Sequence, residues 1–91
     1  METIHLEVSG RVQGVGFRWF VVEKARELRV GGWVKNRPDG NVEIAAAGDR
    51  ASLELLEAAI VAGPDGAQVK HVKKLPAVAP ESLHAPFTIV R

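Results

Sequence analysis

The chain has no cysteine and no tyrosine, one methionine, and only three phenylalanines and two tryptophans among its 91 residues. Without cysteine there is no disulfide framework, no thiolate zinc site and no thiol nucleophile, which fits a reducing compartment. No apolar run approaches the ~18 residues of a membrane span. Met1-Glu2-Thr3-Ile4-His5 lacks the basic segment and apolar run of a secretory signal, so a cytoplasmic protein is expected. Charge of one sign is also missing. Twelve Lys and Arg stand against eleven Asp and Glu, for a net charge of +1. That balance argues against the concentrated basic face that nucleic acid or a membrane surface requires. What remains is an ordinary globular composition, 46% hydrophobic and 25% charged. A chain this long buries about 60% of its unfolded surface, enough for one core. Residues 1–91 are therefore read as a single domain.

Ile4, Leu6 and Val8 alternate with His5, Glu7 and Ser9, the period of a strand with one buried face. After Gly10, Gly14 and Gly16 the period changes. Phe17, Phe20, Val21, Ala25 and Leu28 fall on one helical stripe, which should stop near Gly31-Gly32. Gly32 to Asn36 reads as a second strand, Arg37-Pro38-Asp39-Gly40 as a turn, and Val42, Ile44 and Ala46 as a third strand completing a hairpin. Asp49 is a suitable N-cap for a second helix with Leu53, Leu56 and Ile60 inward, and Gly63-Pro64 closes it in the αL conformation. Gln68 to Leu75 forms a fourth strand in which Val69 and Val72 are out of phase, the mark of a bulge or a frayed edge. A proline loop leads to a short closing strand at Phe87 to Val90. The order β-α-β-β-α-β predicts an α+β, ferredoxin-like split β-α-β fold: two helices on one face of a four- to five-stranded antiparallel sheet. The third strand then lies between the first and second, so the loop after strand one and the end of strand two meet at one sheet edge.

At that edge stand Gly10-Arg11-Val12-Gln13-Gly14-Val15-Gly16-Phe17-Arg18 and Asn36. A glycine-rich loop entering a helix turns several backbone N–H groups one way, and the helix dipole adds positive charge, making an anion cradle. Arg18 adds a fork that matches phosphate oxygens, at a position where the dipole disfavours a cation. Better-known phosphate loops do not fit. Trp19 occupies the third glycine position of a dinucleotide fingerprint, and no GxxxxGK[ST] occurs. On pattern alone, a tight strand-to-helix turn with a solvated arginine is favoured by roughly two to one, and an Asn beside a hairpin turn usually serves the turn.

The stretch Gly10 to Arg18 resembles the signature of the acylphosphatases, and Gly32-Trp33-Val34-Lys35-Asn36-Arg37-Pro38-Asp39-Gly40-Asn41-Val42-Glu43 resembles the second motif of that family. Gly48, Gly63-Pro64 and Phe87-Thr88-Ile89 are similar to further landmarks, so the resemblance spans nearly the whole chain. It implies hydrolysis of acyl phosphates to a carboxylate and inorganic phosphate, with neither metal nor cofactor. It also implies that the amides of Val12, Gln13, Gly14, Val15, Gly16 and Phe17, with the Arg18 guanidinium, hold the phosphoryl group, while the Asn36 amide orients water. One departure stands out: the family's Leu-Gly-Leu is Leu28-Arg29-Val30 here. The first helix must then end either with Arg29 strained or later, at Gly31.

Two other functions share the fold. An RNA-binding module would stack bases on aromatics of the central strands, but the outward positions His5, Glu7, Ser9, Glu43, Ala45 and Ala47 offer none. A non-catalytic sensor of phosphate or carbamoyl phosphate would need Arg18 but has no use for a water-positioning Asn36. His5, His71 and His84 share no metal-ligand spacing. Lys70, Lys73 and Lys74 suit a protected edge strand. The expected partner is a small acyl phosphate, met by a monomer without nucleic acid or membrane.

Overall fold

In a computed structural model describing residues 1–91, the alternation around Ile4, Leu6 and Val8 becomes strand β1 (Glu2–Arg11). Helix α1 (Phe17–Glu27), β2 (Gly31–Asn36), β3 (Val42–Gly48), α2 (Arg50–Ala62), β4 (Gln68–Lys74) and β5 (Thr88–Ile89) follow, with a 3₁₀ turn at Pro80–Ser82. The sheet order is β4-β1-β3-β2-β5. This is the α+β, ferredoxin-like arrangement, with β3 between β1 and β2. Its fifth strand departs from the antiparallel expectation: β5 pairs parallel with β2, so the sheet is mixed. After β4 the chain crosses the back of the sheet to the opposite edge and re-enters running with β2.

Helices cover the front face. Leu6 and Val8 of β1, Val34 of β2 and Ile44 of β3 meet Phe17 and Val21 of α1 and Leu56 and Ile60 of α2, all essentially excluded from solvent. Val22, outside the expected stripe, is buried too. The returning segment closes part of the back face, where Val78 and Leu83 pack on Ala45, Ala47 and Trp33. Strand β3 is consequently buried on both sides, not one.

The out-of-phase valines of β4 have a local cause. Ser9 pairs with His71 but Gly10 with Val69, leaving Lys70 as the extra residue of a bulge. The bulge turns both Val69 and Val72 toward the core. Gly10 is required there: with φ of 124°, an added Cβ would lie 2.1 Å from the Gln68 carbonyl oxygen. Lys70, Lys73 and Lys74 are exposed on this edge strand.

Helix ends differ from expectation. Asp49 stands at the N-cap of α2 without a side-chain cap bond, its carbonyl accepting from the Leu53 N–H at 2.9 Å. Gly63 closes α2 with φ 69° and ψ 167°, outside αL. Helix α1 ends on the first of its two alternatives. Arg29 has φ of 59°, the Val30 N–H donates to the Ala25 carbonyl at 3.0 Å and the Arg29 N–H to that of Arg26 at 3.2 Å. That is a Schellman closure with arginine at the position glycine usually fills.

Candidate active site

The loop from Val12 to Gly16 is anchored at both ends. Val12 and Phe17 are buried in the core, and Val15 packs partly against it. Gly14 and Gly16 face outward with φ of 74° and 77°, and the space beside both α-carbons is open. None of the backbone N–H groups from Val12 to Trp19 donates to an acceptor within the protein. The start of α1 is equally unprovided: Gly16 gives no side-chain cap, and the first turn holds no acidic residue. A capping side chain there would typically add about 1 kcal/mol. This end of the helix therefore forgoes a common stabiliser and leaves its donors and positive dipole end without a partner in the protein, an arrangement that suits an anion. Arg18 lies in the same turn, half-buried and in no salt bridge.

Asn36 ends β2. It pairs with Val42, which in turn pairs with Val8 of β1, so these three form one row across the sheet. Strand alternation places Asn36 on the face of Val34, the helix-covered face, where an apolar residue would be ordinary. Its Oδ1 is buried without a hydrogen-bond partner, and its Nδ2 donates to no protein group. A buried amide oxygen left unpaired costs on the order of 1–3 kcal/mol. Position and unpaired amide together mark a group kept for something other than folding.

Gln13 joins the two halves. Its Nε2 donates to the carbonyls of Arg37 and Asn41, both at 2.9 Å, clamping the turn that follows Asn36. The turn is held from the back face as well. Arg37 Nη1 reaches Glu43 Oε1 at 3.2 Å, Arg37 Nε reaches Asp39 Oδ2 at 3.3 Å, and Asn41 Nδ2 donates to Glu7 Oε2 at 2.6 Å. Behind them His5 Nε2 lies 2.6 Å from Glu43 Oε2, while its Nδ1 meets the Pro76 carbonyl at 2.7 Å. Burial alone would raise the Glu43 pKa, but the His5 hydrogen bond, the Lys35 charge and the Arg37 bond outweigh it and hold the carboxyl below its ordinary value. Asp39 is lowered too, chiefly by the Asn41 backbone N–H.

This loop, its arginine and the asparagine at the same end of the sheet occur in a chain whose residues 4–89 match the family model for acylphosphatase. The chain belongs to the acylphosphatase family. An acylphosphatase of Koribacter versatilis (strain Ellin345) is 47% identical over 88 residues, 97% of this chain and 79% of that one. The crystal structure of acylphosphatase from Bacillus subtilis superposes with a TM-score of 0.92 at 40% identity, covering both chains completely. The chain is also similar to part of a longer protein, HypF of T. kodakarensis, with a TM-score of 0.85 and 30% identity over all of this chain but 12% of that one.

The acylphosphatase fold thus brings Val12 to Arg18 and Asn36 to one end of the sheet, linked by Gln13. Neither the loop before Phe17 nor Asn36 lines a principal cavity. Arg18 does line one, an open groove of about 280 Å³ between α1 and β5 that also includes Trp19, Arg26 and Arg91. Sequence reasoning missed three parts: the Gln13 side chain as a clamp, the Arg37–Glu43 and Asn41–Glu7 ties behind the turn, and this groove. None of the three is marked in the sequence pattern, because each depends on contacts between separate parts of the fold.

Proposed function

We propose that this acylphosphatase-family protein hydrolyses the carboxyl-phosphate bond of small acyl phosphates, with Val12 to Phe17 amides and Arg18 holding the phosphoryl group and Asn36 orienting water. The observation that carries the reading is the pairing of donors without acceptors at residues 12–19 with the unpartnered Asn36 amide at the same sheet end.

The chemistry suits such a site. An acyl phosphate has a good leaving group, so positioning and stabilisation of charge on the equatorial oxygens carry most of the rate. Asn36 Oδ1 accepts a hydrogen bond from water and aims its lone pair at phosphorus. The O–P bond forms as the phosphorus–acyl oxygen bond breaks, and that electron pair leaves on the carboxylate. The water proton passes to a phosphate oxygen of the substrate. No side chain is needed as a base, and the carboxylates of the adjoining turn and back face, Asp39, Glu7 and Glu43, are engaged by Arg37, Asn41 and His5. The rate profile should accordingly lack paired acid and base limbs belonging to the enzyme.

The same reading takes the protein as a cytoplasmic monomer whose partner is the small-molecule substrate, with no role for nucleic acid, membrane or cofactor. The face on which an RRM-like module would stack bases is here occupied by the Val78–Leu83 packing and the His5–Glu43 pair. Hydrolysis of benzoyl phosphate tests the proposal. Turnover by wild type supports it; a folded protein that binds inorganic phosphate but hydrolyses nothing leaves a regulatory anion-binding module instead.

A further inference from the structure

Asn36 Oδ1 is buried and bonded to nothing in the protein, so no contact of that oxygen fixes its direction. The direction is inherited from the backbone that carries it. The next residue, Arg37, extends the β2–β3 ladder by one step, its N–H donating to the Asn41 carbonyl at 2.8 Å. Strand alternation turns the Arg37 side chain to the face opposite Asn36. Two carboxylates meet it there. Glu7 of β1 and Glu43 of β3 are direct cross-strand partners, and like charges set opposite each other push strands apart. Arg37 stands between them, with Nη1 3.2 Å from Glu43 Oε1 and Nε 3.7 Å from Glu7 Oε2.

Both acids are mostly buried, with 17% of the Glu7 side chain and 12% of the Glu43 side chain exposed. Each is also tied from another side, Glu43 by His5 Nε2 and Glu7 by Asn41 Nδ2, both at 2.6 Å. Their positions are therefore fixed, and a planar guanidinium fork that serves both is fixed with them. From this we infer that Arg37 is a positioning residue for the hydrolysis: by bridging Glu7 and Glu43 behind the sheet it holds the Asn36–Arg37 backbone, and through it the direction of the Asn36 amide on the other face. The inference rests on the hydrolytic reading above. Arg37 touches neither phosphate nor water in it, and its contacts with Glu7, Asp39 and Glu43 oppose a role for its charge in binding substrate.

Steady-state kinetics with benzoyl phosphate test this on wild type, Arg37→Gln, Arg37→Lys and the double variant Arg37→Gln with Glu7→Gln, each checked by circular dichroism and urea midpoint. Arg37→Gln should lower kcat by roughly tenfold, the scale of a small misplacement in a positioning site. KM should change by no more than about twofold. Arg37→Lys, a point charge in place of a fork, should lose less, and it carries the same test should the Gln variant not fold. Adding Glu7→Gln to Arg37→Gln removes one of the two facing charges and should recover kcat by about threefold or more, a non-additive result. A merely structural Arg37 would lower the urea midpoint and leave kcat alone, and a substrate-binding one would raise KM alone. Either result, or a double variant no faster than Arg37→Gln, overturns this inference and spares the hydrolytic reading. Absence of turnover in folded wild type overturns the hydrolytic reading and this inference with it.

Discussion

Gln13 holds the carbonyl of Arg37 at 2.9 Å, so the loop that would cradle phosphate and the turn beyond Asn36 move as one piece. The same nitrogen reaches Asn41 at the far side of that turn. The Arg37 N–H closes the turn onto the Asn41 carbonyl at 2.8 Å. The groups proposed to hold phosphate and to orient water are thus linked by one side chain, itself outside the proposed reacting set.

Gln13→Ala should therefore lower kcat by about tenfold or more, since sub-ångström misplacement in a positioning site is costly, with a smaller change in KM. Gln13→Glu should be worse, because a carboxylate would face two carbonyl oxygens. Steady-state kinetics on both variants would show this; a rise in KM alone would mean that Gln13 serves binding and not alignment.

Glycines of the loop and of the sheet should separate cleanly. Gly14→Ala and Gly16→Ala meet open space and bear only left-handed strain, about 1–2 kcal/mol, so the variants should fold while losing activity. Gly10→Ala and Gly32→Ala would press a Cβ to 2.1 Å and 2.0 Å from the Gln68 and Ala45 carbonyl oxygens, and should cost at least about 3 kcal/mol. Urea titrations would rank the four.

How far this was legible in the sequence varies by element. Strict alternation in β1 and the helical stripe of Phe17, Val21 and Ala25 announce their elements because each buries one face. The loop was legible because glycines between a strand and a helix expose backbone donors, whereas Asn36 was legible only through its place at the same sheet edge and the resemblance of its motif. The Gln13 clamp was not, since it joins positions 24 and 28 residues apart. The His5–Glu43 pair depends on β1–β3 register in the same way. Nor does a proline-containing stretch announce that Leu83 will cross the sheet and bury Ala45 and Ala47.

Arg29 offers a gain in stability. At φ of 59° it occupies a conformation that costs a side-chain-bearing residue about 1 kcal/mol or more. Arg29→Gly should raise stability by about 0.5–1 kcal/mol after its larger unfolded-state entropy is counted. That corresponds to a few degrees in Tm, at about 4–8 °C per kcal/mol for a domain of this size. Calorimetry should find the increase with kcat unchanged.

The Glu43 carboxyl, held below its ordinary value near 4.5, sets a pH dependence. A depressed carboxyl contributes stability that is fully present above its unfolded pKa and is lost as pH falls through the folded one. Stability should be level above about pH 5.5 and decline below pH 4.5. Glu43→Gln should lower stability at neutral pH by about 1–3 kcal/mol and flatten the acid limb. Urea midpoints between pH 3 and 7 for both proteins would reveal it.

Initial-rate hydrolysis of benzoyl phosphate with EDTA present, by wild type, Arg18→Ala and Asn36→Ala, tests the central claim most directly. The account predicts metal-independent turnover in wild type and losses of about 10²-fold or more in both variants, with circular dichroism spectra unchanged. A folded wild type without turnover, or full activity in either folded variant, would contradict it.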